Sequence, residues 1–192
     1  DGQPLLVAVE IHNVGAQGVL TSELQTIQRL AATGARIRRI ALPELRETAD
    51  IIARIGPMTS VEAALVHRDR LNTPAEAQID PRVIRRIRMA DKMSAVDLWE
   101  LQTHRRRLIA AVNDRLGDAI LICPTTPSVA MPIAALEADV EEFFHHNFRT
   151  LRNTALGNFL DWCGIAIPNG ADGDGMPTSL MLSARHGRDR QI

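Results

Sequence analysis

The sequence predicts an α/β domain, a mixed β-sheet flanked by helices. Three observations carry that prediction. Short apolar runs that suit buried strands alternate with longer stretches of helical periodicity. The first three segments fall in strand–helix–strand order, the βαβ unit that favours a parallel pair with a right-handed crossover. Hydrophobic residues make up 45% and charged residues 23% of the 192, a globular balance with enough apolar material for a sizeable core.

The run from Leu5 to Ile11 is apolar and short, and reads as the first strand. Ser22 and Gln25 are spaced as a capping box. Leu24, Ile27, Leu30 and Ala31 then supply one helical face, which Gly34 is placed to end. Arg36 to Leu42 alternates Arg with Ile and reads as a second strand, stopped by Pro43. Residues 44–116 are helical by pattern, with further capping boxes at Thr59/Glu62 and Ser94/Asp97. Gly117 closes the last of these helices, and Asp118 to Ile122 is the third strand. It runs into the loop Pro124-Thr125-Thr126-Pro127. Residues 137–163 read as helical, with Glu137, Asp139, Glu141 and Glu142 at the end where the helix dipole favours negative charge. A short strand, Gly164 to Ile167, and a last one, Thr178 to Ala184, flank the turn-forming stretch PNGADGDGMP. No Pro/Gly linker interrupts this order, so residues 1–192 read as a single domain.

Charge and composition narrow the partners. Lys and Arg number 22 against 23 Asp and Glu, so there is no general attraction to nucleic acid or to a membrane surface. The segment Arg82–Arg107 carries eight basic and three acidic residues. It lacks the interleaved aromatics of a nucleic-acid platform, and solvated helix faces are the expectation. No apolar run is long enough to span a bilayer. The cysteines, Cys123 and Cys163, are too few for a disulfide framework and suit a reducing cytoplasm. The chain starts at Asp1 without Met and stops at Ile192 within a charged stretch, ends expected of a piece of a longer polypeptide.

Motifs for chemistry are sparse. The loop NVGAQG lacks the G-x-G-x-x-G spacing of a nucleotide site. Glu141/His145 and Glu142/His146 have the i,i+4 spacing of half a metal site, but the same spacing serves a helix-stabilising pair, and that is the expectation. Asp172 and Asp174 lack the further carboxylate of a calcium loop and suit a tight turn. No metal or other cofactor is called for. Cys123 follows a strand end, where α/β sheets place their ligands, yet a small buried hydrophobe is the default for both cysteines. No G-x-S-x-G elbow occurs, no two serines are adjacent, and Lys92 is the only lysine.

Three ordered patterns carry more. HRRRLIAAVNDRL leads into DAILICPTTP; LRNTALGNFLDWCGIAIPNG follows; GMPTSLMLSARHG comes last. Together they resemble the C-terminal half of the amidase signature family, with Asp118, Pro124–Pro127, Arg152, Thr154, Asn158, Pro168, Gly170, Gly175 and Pro177 at the matching positions. Gly34 and Ala35 fit the family's earlier strand–helix–strand segment, so the resemblance covers nearly the whole chain. Asp161-Trp162-Cys163 departs from the commoner Gly-x-Pro and looks more like the branch related to allophanate hydrolase. Ser179 stands where many relatives have Gly.

The resemblance implies the C-terminal portion of the amidase signature fold and a role in hydrolysing a carbon–nitrogen amide bond of a small molecule. The family's Ser pair and Lys base belong to a Gly-Ser-rich N-terminal half, which these residues do not include, so no catalytic residue is assigned here. Thr125 and Thr126, with hydroxyls at a strand end, and Asn158 are the expected substrate contacts. Arg107 is the residue the family's amidotransferase members imply for glutamine recognition, with Arg105 close behind. The matching Asp position holds Leu151. Two alternatives remain open: the glutamine-hydrolysing component of a glutamine-dependent tRNA amidotransferase, and a stand-alone binding domain. The expected partners are the amide substrate, the N-terminal half of the same protein and, through an uncovered sheet edge, a second copy of the chain.

Overall fold

The structure, a computed structural model, describes residues 6–10 and 17–192. Their strands are β1 (Leu6–Glu10), β2 (Arg36–Ile40), β3 (Ile120–Pro124), β4 (Trp162–Ala171) and β5 (Pro177–Arg185). Their helices are α1 (Gln17–Ala32), α2 (Pro43–Ile55), α3 (Met58–His67), α4 (Pro81–Ile87), α5 (Ala95–Leu116), α6 (Ile133–Ala138) and α7 (Val140–Phe159). Short 3-10 turns occupy Pro74–Gln78, Arg88–Lys92 and Asp189–Gln191. The backbone contacts fall into two compact units, Pro43–Ala111 and the remainder, with the boundary inside α5.

In the larger unit the five strands form one sheet in the order β2-β1-β3-β5-β4. β1 pairs in parallel with β2 and with β3, whereas β5 runs antiparallel to both β3 and β4. The expected mixed sheet is therefore present, and its first pair is the parallel β1–β2 of a βαβ unit. All five residues of β3 are buried, as a central strand covered on both faces requires. Ile120, Ile122 and Leu180 form a core on one face, against which Ile27 and Leu30 of α1 pack. Leu121 and Cys123 point the opposite way by strand alternation. Phe144 and Phe159, buried on α7, are the large aromatics of this unit's core.

Several boundaries differ from the sequence reading, for identifiable reasons. The first-strand ends Leu5 and Ile11, and most of the NVGAQG loop, lie outside the described residues. Ser22 and Gln25 do not cap α1, because the helix already runs from Gln17. Ser22 is buried and donates its hydroxyl to the Ala171 carbonyl of β4 instead. Thr59 and Glu62 do not cap α3 either: the helix starts at Met58 behind Pro57, with no side-chain cap. Pro43 is the first residue of α2, where a missing N–H costs nothing, rather than a plain strand stop. The helical stretch over 137–163 is broken at Asp139, whose carboxylate accepts from the Glu141 and Glu142 N–H groups and starts α7. β4 is ten residues long rather than four, and as an edge strand it tolerates Pro168 beside a register shift. β3 begins and ends two residues later than expected, so Pro124 closes the strand and Thr125 is the first residue past it.

Other expectations hold. Gly34 (φ 94°) and Gly117 (φ 57°) follow α1 and α5 in the left-handed region that ends helices. Asp172 Oδ1 accepts from the Asp174 and Met176 N–H groups, which makes the β4–β5 connection a tight turn. Arg38 on edge strand β2 donates to the Arg115 and Leu116 carbonyls, placing a cation on the C-terminal end of α5. His146 pairs with Glu142 at 3.0 Å, a helix pair one turn apart.

The smaller unit is helical throughout. Its Arg-rich stretch meets nearby carboxylates, Arg82 with Asp80 and Arg88 with Glu76 and Asp91, while Glu100 of that stretch pairs with Arg54 of α2. Ser94 and Asp97 form the expected reciprocal box at the start of α5. The Asp97 carboxylate accepts from the Ser94 N–H at 2.9 Å and its hydroxyl at 2.7 Å, while the Asp97 N–H donates back at 3.1 Å.

Those two bonds from Ser94, the backbone one first, hold the Asp97 carboxyl below its ordinary value. A carboxyl lowered on folding adds stability above its unfolded pKa near 3.9, and loses it as pH falls through the folded value. Ser94→Ala is expected to cost about 1 kcal/mol in urea unfolding. The stability difference between wild type and Asp97→Asn should be complete above about pH 5 and fade as the pH falls through the lowered folded value. A difference constant from pH 7 to pH 2 would remove this box from the stability of the unit.

Candidate functional site

The sheet order places a switch point between β1 and β3: β1 crosses over to β2 on one side, and β3 lies on its other side. Ligands of open α/β sheets bind outside the carboxyl ends of strands at such points. The Pro124–Pro127 loop leaves β3 at that end.

The loop is fixed from two elements. The Thr125 N–H donates to the Ser179 carbonyl of β5 at 3.0 Å. Asn153, buried on α7 with 5% exposure, donates its amide Nδ2–H to the Pro124 carbonyl at 2.7 Å. Arg152 Nε–H donates to Asn153 Oδ1 at 3.2 Å. A donor on one side and an acceptor on the other leave the amide one sensible orientation. Pro124 and Pro127 are both fully buried and pin the ends of the turn.

The threonines between them differ. Thr126 donates its hydroxyl proton to the Ser128 carbonyl at 2.8 Å, so its remaining capacity is that of an acceptor. Thr125 Oγ1 is buried without a hydrogen-bond partner among the described residues, and its proton is uncommitted. An orphaned buried hydroxyl costs roughly 1–3 kcal/mol until something bonds it. Asn158 is exposed in the last turn of α7. Arg107, on α5 in the smaller unit, is ion-paired with Glu47. Thr125 and Thr126 thus share one loop, and Asn158 follows Asn153 on α7.

Charge at the site centres on Arg152. Burial foremost, and the neighbouring Arg149 cation second, push its guanidinium below its ordinary value, while Cys123 opposes the shift. It stays protonated, since arginine does not lose its proton in proteins. Cys123 is 8% exposed and Cys163 half-buried, both as free thiols. Among the described residues no group of three or more His, Cys, Asp and Glu is arranged to hold a metal ion.

A largely apolar groove of about 430 Å³ lies elsewhere, between α1 and the β4–β5 hairpin, lined by residues including Arg29, Leu30, Ile167 and Leu182. None of the four expected substrate contacts lines it. Asn153 is the residue that sequence reasoning missed. It sits between Arg152 and Thr154 of the second pattern, and with its partner 29 residues away no local signal marks it.

A family model described as Amidase matches residues 6–192. The chain belongs to the amidase family. It is 32% identical over 157 residues to the 2-amino-5-chloromuconic acid deaminase of Comamonas testosteroni, covering 81% of this chain and 33% of the relative. Among solved structures it resembles the Kluyveromyces lactis allophanate hydrolase, with a TM-score of 0.84 and 25% identity over 98% of this chain and 31% of that one. A component of the glutamyl-tRNA(Gln) amidotransferase of Thermotoga maritima shares the fold, with a TM-score of 0.62 and 16% identity over 98% of this chain and 40% of that one. The chain spans about a third of the length of the first of these relatives. The resemblance to the amidase signature family, through the branch that includes allophanate hydrolase, is thereby upheld.

Burial separates the two thiols. Iodoacetamide at neutral pH is expected to modify Cys163 first, and Cys123 only once the protein unfolds. Equal labelling rates for both would show that the end of β3 opens to solvent.

Proposed function

We propose that this chain builds the sheet core and one wall of the substrate pocket of an amidase, which hydrolyses a carbon–nitrogen amide bond in a small molecule. The observation that carries the reading is the Pro124–Pro127 loop, tied to α7 and β5 at the carboxyl end of β3 in a chain of this family. The chain supplies no nucleophile and no cofactor. Lys92 is exposed in a 3-10 turn, and the sequence holds no adjacent serines. The nucleophile comes from the Ser/Lys segment of the N-terminal half of the same protein. There a base removes the serine proton, the oxygen attacks the amide carbonyl, ammonia or an amine leaves, and water hydrolyses the resulting ester.

In this scheme the loop reads the amide. Thr126 Oγ1 accepts an amide N–H, since its own proton is held by Ser128. Thr125 has an uncommitted proton, but its Oγ1 is buried and meets a substrate oxygen only when the loop opens. Asn158 can do either. Arg107 would have to exchange Glu47 for an anionic substrate group, which makes it the least available of the four. The tRNA amidotransferase reading has less behind it: the likeness there is one of fold, and Leu151 offers no carboxylate to an ammonium. A cytoplasmic setting fits the free thiols.

Two measurements test this. The 192-residue chain alone should release no ammonia from a panel of simple amides, and Lys92→Ala should change nothing. Turnover abolished by Lys92→Ala would place catalysis within this chain and sink the proposal. Joined to its N-terminal half, the chain should hydrolyse an amide. Thr126→Val should then lower kcat/KM roughly tenfold, about 1.4 kcal/mol of transition-state binding, with Thr126→Ser close to wild type. A large drop in thermal midpoint with unaltered kinetics would make the loop structural only.

Self-association is the second expectation. On edge strand β4, Ile165 and Ile167 are 46% and 43% exposed. Unpaired backbone groups along such an edge recruit other chains. Light scattering of the isolated chain at two concentrations should show association, and a monodisperse monomer at the higher one would overturn the edge argument.

A further inference from the structure

We infer that Asn153 is a positioning residue for the amide-hydrolysis reaction: its side-chain amide sets the Pro124–Pro127 loop, and through it the Thr125 and Thr126 hydroxyls, at the mouth of the sheet. The inference rests on the functional reading above and adds a residue to it.

Pro124 stands opposite Leu180 at a non-hydrogen-bonded position of the antiparallel pair, since the bond to β5 is made by the next residue; it has no N–H, and its carbonyl points away from β5. That carbonyl is buried and accepts from Asn153 Nδ2 at 2.7 Å, a short bond from a side chain that is itself 5% exposed. The next residue is Thr125, whose N–H is held by Ser179 at 3.0 Å. The peptide unit between Pro124 and Thr125 is therefore clamped at both ends, its C=O by α7 and its N–H by β5. A planar peptide held at both polar atoms has one orientation. That orientation sets the direction in which Thr125 leaves the strand.

Arg152 strengthens the clamp. Its Nε–H on Asn153 Oδ1 keeps the amide from rotating, so that Nδ2 faces Pro124. An Asp at 153 would keep the acceptor for Arg152 and nearly the same volume. It would set a carboxylate oxygen against the Pro124 carbonyl, so the clamp would repel where it now attracts. Asn153→Asp thus removes one bond with little change in packing.

The test uses the active protein, with this chain joined to its N-terminal half, in three forms: wild type, Asn153→Asp, and Leu116→Ala as a comparator that loses core packing at the end of α5. Thermal midpoints, steady-state kinetics and amide hydrogen exchange at Thr125 are measured for each. Asn153→Asp is expected to speed Thr125 exchange at least about tenfold and lower kcat/KM by a similar factor, the size of one lost buried bond. Leu116→Ala should lower the midpoint without moving the Thr125 exchange or kcat/KM relative to wild type. Wild-type kinetics in Asn153→Asp would overturn the inference, whether or not the exchange changes, and so would an equal kinetic loss in Leu116→Ala. A wild type that turns over no amide while Asn153→Asp still speeds the exchange would overturn the functional reading, and with it the catalytic part of this inference.

Discussion

Strand β3 has neighbours on both sides and cover on both faces, and the larger unit is organised around keeping it dry. Ile120, Leu121 and Ile122 are each at most 2% exposed. A strand of that kind cannot leave a backbone polar group unpaired without losing about the worth of a hydrogen bond. β1 pairs with it in parallel and β5 antiparallel, which is why the sheet is mixed rather than of one sense. Helix α1 covers the face carrying Ile120 and Ile122, and its Ser22 ties it to the Ala171 carbonyl on the far edge of the sheet. Burying three such side chains is worth roughly 1.5–3 kcal/mol each, far more than any exposed ion pair in the molecule.

That constraint also explains what was legible in the sequence. β3 is a run of apolar residues with Gly117 before it and Pro124 at its end, and burial of such a run needs no context to be read. Gly34 and Gly117 announced two helix ends because only left-handed backbone closes a helix there. The Pro-Thr-Thr-Pro loop was legible as punctuation, and its place at the carboxyl end of the strand followed from that. Capping boxes were less secure. Ser94/Asp97 formed as spaced, but Ser22 and Thr59 lie inside helices that begin before them, α1 at Gln17 and α3 at Met58.

Asn153 was hidden for a different reason. Its partner, the Pro124 carbonyl, is 29 residues away in sequence. No local pattern encodes such a bond: a mid-helix Asn looks like any solvent-facing polar residue. The same holds for Arg107, whose pairing with Glu47 spans 60 residues and occupies a cation that a motif alone presents as available. Long-range polar pairs are set by tertiary geometry, and helical periodicity is silent about them.

A proline at the end of a buried strand has a consequence that reaches the site. It ends the strand because the ladder needs a donor that proline lacks, yet its carbonyl still sits in the core and must be bonded. The neighbouring strand can take the next N–H, as Ser179 does for Thr125, but it cannot also supply a donor to the carbonyl facing the other way. That donor has to come from a side chain on a covering helix, and an amide is suited to the task because it is neutral and carries both a donor and an acceptor. A lysine or arginine there would bring a charge into the core, and a hydroxyl would reach less far. The helix that covers this end of the sheet is therefore bound to the loop that leaves it, and the backbone direction in which Thr125 leaves the strand is settled by the fold.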